Sequence, residues 1–290
     1  MAKDQGAALD RKKLMGDPIM VTTIVVLIAF LTLFILYPLA ILLVDSFITE
    51  SGPSLDVFSR VLAMPSFTKA ITNTLAVGFL VSIVSALVGL LFAYVEVYVQ
   101  LKTKFMGGLF QVVSMLPVVS PPFVLSLSII MLFGKSGLIT RYLLGIYDNS
   151  VYGFWGIFVV QTLTFFPVCY MMLKGLLKNI APSLEEAARD MGASRWKVFT
   201  SVTLPLIMPS AFLVIIVEWI SAFKIFREVY FIGGAYPSEA VYTLQNYMNN
   251  MYNKMNYQNV TTAAYTFAVI VFLLFGLLFF MQQRMQKRLH

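Results

Sequence analysis

Apolar runs dominate the chain, and short polar connections divide them. Six runs are long enough to cross a bilayer as helices: residues 19–44, 72–97, 108–133, 152–177, 204–226 and 261–281. The first is about 26 residues long against the ~7–15 of a signal-peptide core, so it reads as a retained span. The second carries Ser82, Ser85 and Gly89, small residues that let helices approach closely. Pro117, Pro121 and Pro122 predict a kink or split in the third. Between the fifth and sixth, Val241, Leu244, Met248, Met251 and Tyr252 recur at helical spacing and predict an amphipathic helix.

Composition agrees with the pattern. Of the 290 residues, 59% are hydrophobic and 12% charged, against about 25% charged in a soluble domain. The expected fold is all-α: a polytopic membrane protein with six transmembrane helices, residues 19–290, behind a polar segment, residues 1–18. The net charge of +7 marks orientation and not a nucleic-acid surface. With six spans, fourteen lysines and arginines fall on the side of both termini and seven on the other. Positive charge favours the cytoplasm, so both termini are expected there, in a bacterial-type cytoplasmic membrane. The lone Cys169 excludes an intrachain disulfide and reads as a small packing residue. Gly134-Lys135-Ser136 lacks the earlier glycine of a phosphate loop, since Ile129 stands there. No nucleotide site, metal-ligand cluster or catalytic constellation is evident.

A charged stretch, residues 183–209, lies between the fourth and fifth runs. Ser183 with Glu186 has capping-box spacing, which predicts a helix start. Leu184, Ala187, Ala188, Met191 and Val198 would share a face, while Gly192 and Ser194 interrupt the helix. The expectation is a helix–turn–helix at the membrane surface, a cytoplasmic coupling helix pair.

Glu186-Ala187-Ala188, then Gly192 after three residues, then Val202-Thr203-Leu204-Pro205 after nine more, resembles the EAA loop of membrane subunits in binding-protein-dependent ABC importers. The family pattern has Ile where Val202 stands. The resemblance implies that residues 183–205 dock an ATPase subunit, with Glu186, Ala187, Ala188, Gly192, Leu204 and Pro205 as coupling residues. It also implies a second six-helix permease in a heterodimer, two ATPase copies that hold ATP and Mg, an extracytoplasmic sugar-binding protein, and no cofactor on this chain. Glu218-Trp219, the 223–228 and 233–237 segments and Leu244-Gln245-Asn246-Tyr247 resemble the carbohydrate-uptake branch, and within it the maltose-type permeases.

Sugar binding would need hydroxyl and amide hydrogen bonds and an aromatic face. Gln161, Thr162, Glu218, Trp219, Ser221, Thr261, Thr262 and Tyr265 are the available groups. Each also has a plain reading as a helix contact, although an ionisable residue within the membrane, Glu218, is a functional candidate by default. Two alternatives stand beside the sugar permease. One is the same architecture importing a non-sugar solute. The other is an ion-coupled transporter working alone, against which the coupling-loop spacing argues.

Overall fold

The computed structural model describes residues 17–49, 52–99, 104–147, 152–224, 226–235 and 237–289. The N-terminal segment up to residue 16, Lys102, Ile225 and Tyr236 lie outside them. Among the described residues, six helices are long and apolar enough to cross a membrane. The described strands are a two-residue antiparallel ladder, β1 (Ile48–Thr49) with β2 (Gly52–Pro53).

The first span is α1 (Pro18–Leu31) and α2 (Tyr37–Phe47), joined by a π turn at Thr32–Leu36. Pro38 has no amide hydrogen and crowds the carbonyl four residues back, and the widened turn relieves that clash. This span buries only Ser46 and meets the bundle through α2. A short helix, α3 (Asp56–Ala63), leads into α4 (Pro65–Tyr98). At 34 residues α4 is about 50 Å long, so it passes beyond a ~30 Å apolar core.

The third apolar run is split, as its prolines predict, into α5 (Lys104–Val119) and α6 (Pro122–Phe133). The break falls at Ser120 and Pro121, while Pro117 is carried inside α5. The two pieces follow α7 (Phe154–Lys178) along its length. Met115 of α5 packs on the apolar cluster that holds Tyr170 and Leu173, and Leu125 and Ile129 of α6 on the one that holds Ile157 and Val160.

Next come α8 (Pro182–Asp190), α9 (Arg195–Val198), a π turn at Phe199–Thr203, and α10 (Leu204–Ala222). The fifth span is therefore one helical rod from Arg195 to Ala222, not one starting at residue 204. The connection to the last span holds α11 (Arg227–Gly233), which the apolar pattern did not reveal, and α12 (Leu244–Asn253). The last span is α13 (Tyr257–Leu289).

The buried face of α12 differs from the expected one. Leu244, Asn246, Tyr247 and Asn250 are buried, whereas Tyr252 is exposed and Val241 sits in a preceding 3-10 turn. The asparagines face inward because they have partners there. Asn246 Oδ1 accepts from the Thr243 hydroxyl at 2.7 Å, and Asn250 Nδ2 donates to the Ala235 carbonyl at 3.2 Å.

The centre of the bundle is the seam between α4 and α7. Ser82, Ser85, Ala93 and Cys169 are fully buried. A Cβ placed on Gly89 would lie 2.7 Å from the Cys169 Cβ and 2.7 Å from the Tyr170 nitrogen. Cys169 is thus a helix-packing residue. At the end of the bundle nearest α8, Lys174 pairs with Glu96 at 2.6 Å, and the Tyr170 hydroxyl donates to the same carboxylate.

The opposite end is closed by the α11–α12 connection. The Leu244 amide donates to Thr74 Oγ1 at 2.8 Å, and Asn73 Nδ2 donates to the Glu239 carbonyl at 2.7 Å. Lys69 pairs with Glu239 and holds its carboxyl below the usual range. Burial in α11 pushes the Glu228 carboxyl up.

Ser194 and Ser238 are exposed at opposite ends of the fifth span. Single cysteines introduced at these positions, with Cys169→Ala, should react with an impermeant thiol reagent from opposite sides of a sealed vesicle. Reaction of both from one side would refute the six-span layout.

Candidate functional site

The charged stretch forms a ridge standing off the apolar bundle. Its first helix, α8, starts two residues earlier than the capping-box spacing implied. Ala181 occupies the N-cap without a side-chain cap, and Pro182 is the first helical residue. Proline suits that position because its φ is preset and the missing N–H would be orphaned anyway. Ser183 is then already inside the helix and does not cap it.

The turn after α8 matches the expectation and explains it. The Gly192 amide donates to the Arg189 carbonyl at 2.8 Å, and the Ala193 amide donates to the Ala188 carbonyl at 3.1 Å. This is a Schellman arrangement, with Gly192 left-handed at φ +84°. A Cβ there would meet nothing within 4 Å. The glycine is needed for its backbone angle and not for space. Ser194 then caps α9, its Oγ accepting from the Lys197 amide at 3.3 Å.

The helix is turned differently from the expected apolar face. Ala188 and Val198 point inward and are buried, but Leu184 is half exposed and Met191 is 84% exposed. Glu185, expected to face away, is half-buried against the bundle. Its Oε1 accepts from the Tyr98 hydroxyl at 2.6 Å and from Thr203 Oγ1 at 2.9 Å. Satisfying this carboxylate fixes the rotation of α8 and leaves Glu186 and Ala187 exposed. Of the two alanines in the motif, only Ala187 is open to a partner.

Beyond the turn, Trp196 adds a large exposed ring, 67% accessible. Its neighbour Phe199 is wedged against Tyr94, with ring centroids 4.7 Å apart. Leu204 packs on the inner core, and Pro205 follows the π turn. The outward face therefore carries Leu184, Glu186, Ala187, Met191 and Trp196. Sequence reasoning missed Glu185 and Trp196. An exposed tryptophan beside a charged loop was the readable signal for the latter.

The other candidate residues do not form one site. Tyr265 donates to the Leu39 carbonyl and ties the sixth span to the first. Trp219 Nε1 donates to the Leu75 carbonyl at 3.1 Å, and its ring lies 3.0 Å from where a Gly78 Cβ would stand. Ser221 bonds back to the Val217 carbonyl of its own helix, and Thr261 to that of Gln258. Thr262 is fully buried with its hydroxyl unpartnered among the described residues.

Gln161, Thr162 and Glu218 remain. All three are buried in the α4–α7–α10 core, and Gln161 Oε1, Thr162 Oγ1 and Glu218 Oε2 have no hydrogen-bond partner among the described residues. Glu218, 2% exposed, faces the bundle interior, away from lipid, where a polar group is least costly. The described residues contain no group of three His, Cys, Asp or Glu placed to hold a metal.

Residues 85–290 match the family model for the binding-protein-dependent transport system inner membrane component. The chain belongs to that family. That description is of a membrane component of a transport system. The chain is 31% identical over 278 residues to the ferric transport system permease protein FbpB of Actinobacillus pleuropneumoniae, covering 94% of this chain and 39% of that protein. A putative ferric transport system permease protein of Haemophilus influenzae is 30% identical over 255 residues, 87% of this chain and 39% of its own. The chain thus spans about two fifths of the length of these relatives. The putative molybdenum transport system permease protein YvgM of Bacillus subtilis is 31% identical over 171 residues, 59% of this chain and 74% of its own. A crystal structure of a bacterial ABC transporter for the import of the acidic polysaccharide alginate superposes with TM-score 0.77, over 94% of this chain and 98% of that one. At 17% identity that likeness shows the fold alone.

The Schellman turn yields a direct test. Gly192→Ala should cost about 1–2 kcal/mol, the penalty of a left-handed L-residue. Gly192→Asn should cost less. In hydrogen exchange on the purified chain, the amides of Gly192→Ala around residues 188–193 should exchange about tenfold faster. Unchanged exchange would show that the turn does not depend on glycine.

Proposed function

We propose that this chain is a permease subunit of an ATP-driven importer, with both termini and the ridge in the cytoplasm. The observation that carries the reading is the ridge itself. It is exposed and mixed apolar and charged, and its second helix, α9, is continuous with the fifth span. A surface of that kind suits docking by an ATPase, and a rod leading from it into the membrane suits transmission of the resulting motion. The partners on this reading are a second six-helix unit, two ATPase copies that hold ATP and Mg, and an extracytoplasmic binding protein. The chain itself binds no cofactor.

The solute is an inorganic ion, with ferric iron the first to test. Ferric permeases match nearly the whole chain, and a molybdenum permease matches part of it. The carbohydrate branch suggested by the shorter motifs has only fold-level support, from the alginate transporter. Of the alternatives weighed on sequence, the non-sugar solute is therefore preferred.

Two experiments test this reading. Purification of the tagged chain with its partners should recover an ATPase, and vesicles containing the complex and its binding protein should accumulate radiolabelled ferric iron but not maltose. Glu186→Lys should leave the chain inserted but lower ATPase recovery about tenfold, as loss of a charge-assisted contact predicts. Uptake of maltose and not iron would return the solute to the sugar branch. Unchanged ATPase recovery in Glu186→Lys would remove that residue from the docking surface.

The polar core gives a second discriminating pair. Glu218→Gln preserves shape and should reduce uptake more than complex yield, while Ser221→Ala should do little to either. If Glu218→Gln transports normally and only Glu218→Leu lowers complex yield, Glu218 is a packing group and no part of the solute path.

A further inference from the structure

The attachment of α8 to the bundle is slight for an element read as transmitting force. Ala188 is its only buried residue. The chain leaves it through a left-handed glycine at Gly192, with open space around it. Apolar packing alone would let so short a helix roll about its axis. What opposes rolling is polar: one oxygen, Glu185 Oε1, receives the hydroxyls of Tyr98 at 2.6 Å and Thr203 at 2.9 Å.

The two donors belong to different spans. Tyr98 is the last residue of α4, the second span. Thr203 ends the π turn inside the fifth-span rod. The Tyr98 ring is itself held in place, with Tyr94 at 5.2 Å and Phe199 at 6.4 Å between centroids. Arg189, one turn along α8 from Glu185, and Arg195 line the same crevice. Hydroxyl bonds to a carboxylate are about twice as strong as neutral ones, so the pair can fix the angle of a helix that packing leaves free.

We infer that Glu185 is the positioning residue of the ridge, a clamp that sets the angle of α8 against both the second and the fifth spans. The clamp rests on these contacts. Its effect on coupling rests in addition on the docking role proposed above. Glu186, the adjacent residue, faces outward to the partner, whereas Glu185 faces inward and touches none. A relative movement of the ends of α4 and α10 would strain one of the two hydroxyl bonds, so the angle of α8 would report on the separation of those spans.

The test reads geometry first. Nitroxides are attached at Lys178→Cys and Asp190→Cys, both exposed in the wild type, in a Cys169→Ala background, and their distance distribution is measured in the purified chain. Glu185→Ala should broaden it. Glu185→Gln, which still offers one oxygen to both hydroxyls, should restore the narrow distribution. Tyr98→Phe combined with Thr203→Val should reproduce Glu185→Ala, and adding Glu185→Ala to that pair should change nothing more. A narrow distribution in Glu185→Ala, or a broad one in Glu185→Gln, overturns the clamp. The second measurement uses the complex with its ATPase and binding protein. The ratio of binding-protein-stimulated to unstimulated ATP hydrolysis should fall about tenfold in Glu185→Ala and recover in Glu185→Gln. An unchanged ratio with a broadened distribution overturns the positioning role. A wild-type chain that recovers no ATPase defeats the proposed function, while the distance measurement still decides the clamp.

Discussion

At Gly89 a Cβ would stand 2.7 Å from the backbone nitrogen of Tyr170, so α4 and α7 meet almost backbone to backbone. In lipid the hydrophobic effect does not drive such a contact, because the tails are as apolar as the helices. Close van der Waals fit and a few hydrogen bonds must suffice. Ser82, Ser85, Gly89, Ala93 and Cys169 supply the fit, and Ser85 Oγ donates to the Thr162 carbonyl at 3.4 Å. The seam then places everything beyond it. Glu96 arrives beside Tyr170 and Lys174, and the next turns of α4 present Tyr94 and Tyr98 to Phe199 and Glu185. A larger residue at Gly89 would push α4 from α7 and carry the aromatic end of α4 away from the ridge.

The spans and the ridge were legible because each is written locally. Hydropathy marks a span whatever it packs against, and the coupling motif lies within a few turns of chain. What sequence reasoning missed is long-range. The partner of Glu185 on α4 is 87 residues away, and Tyr265 finds its acceptor 226 residues away on the first span. Helical periodicity also fails in a bilayer, since lipid-facing and protein-facing positions are equally apolar. The apolar window of the first span has none of its residues buried in this chain, and nothing in its composition says so. On α8, periodicity grouped Leu184 and Met191 with Ala188 as one inner face. One carboxylate satisfied by two hydroxyls outweighed that stripe and turned the helix.

Solute class was the least legible property, for a related reason. Gln161, Thr162, Trp219, Ser221 and Tyr265 all have the chemistry of sugar contacts. Two of them spend their polar atoms on other helices, and Ser221 spends its own on its own helix. Polar side chains in a membrane protein are scarce and are consumed first by packing, so a list of them is not a site. The few left without partners, Glu218 among them, carry more information than the many.

The coupling argument turns on where the chain bends between ridge and membrane. It bends once freely, at Gly192, and once within helical geometry, at the π turn before Pro205. The π turn keeps the rod from Arg195 to Ala222 intact, because the wider turn absorbs the missing amide of Pro205 without breaking the helix. A force applied to Trp196 would therefore reach α10 directly. A force applied to Glu186 or Ala187 would have to cross Gly192, where the backbone alone gives little resistance. The hydroxyl of Thr203 bridges that gap, since it lies on the rod and bonds to a carboxylate on α8. With Ala188 buried toward one end and Glu185 bonded nearer the other, α8 is held at two points along its length. That is the least number that stops a short helix from pivoting, and it allows both halves of the ridge to move as one body with the fifth span.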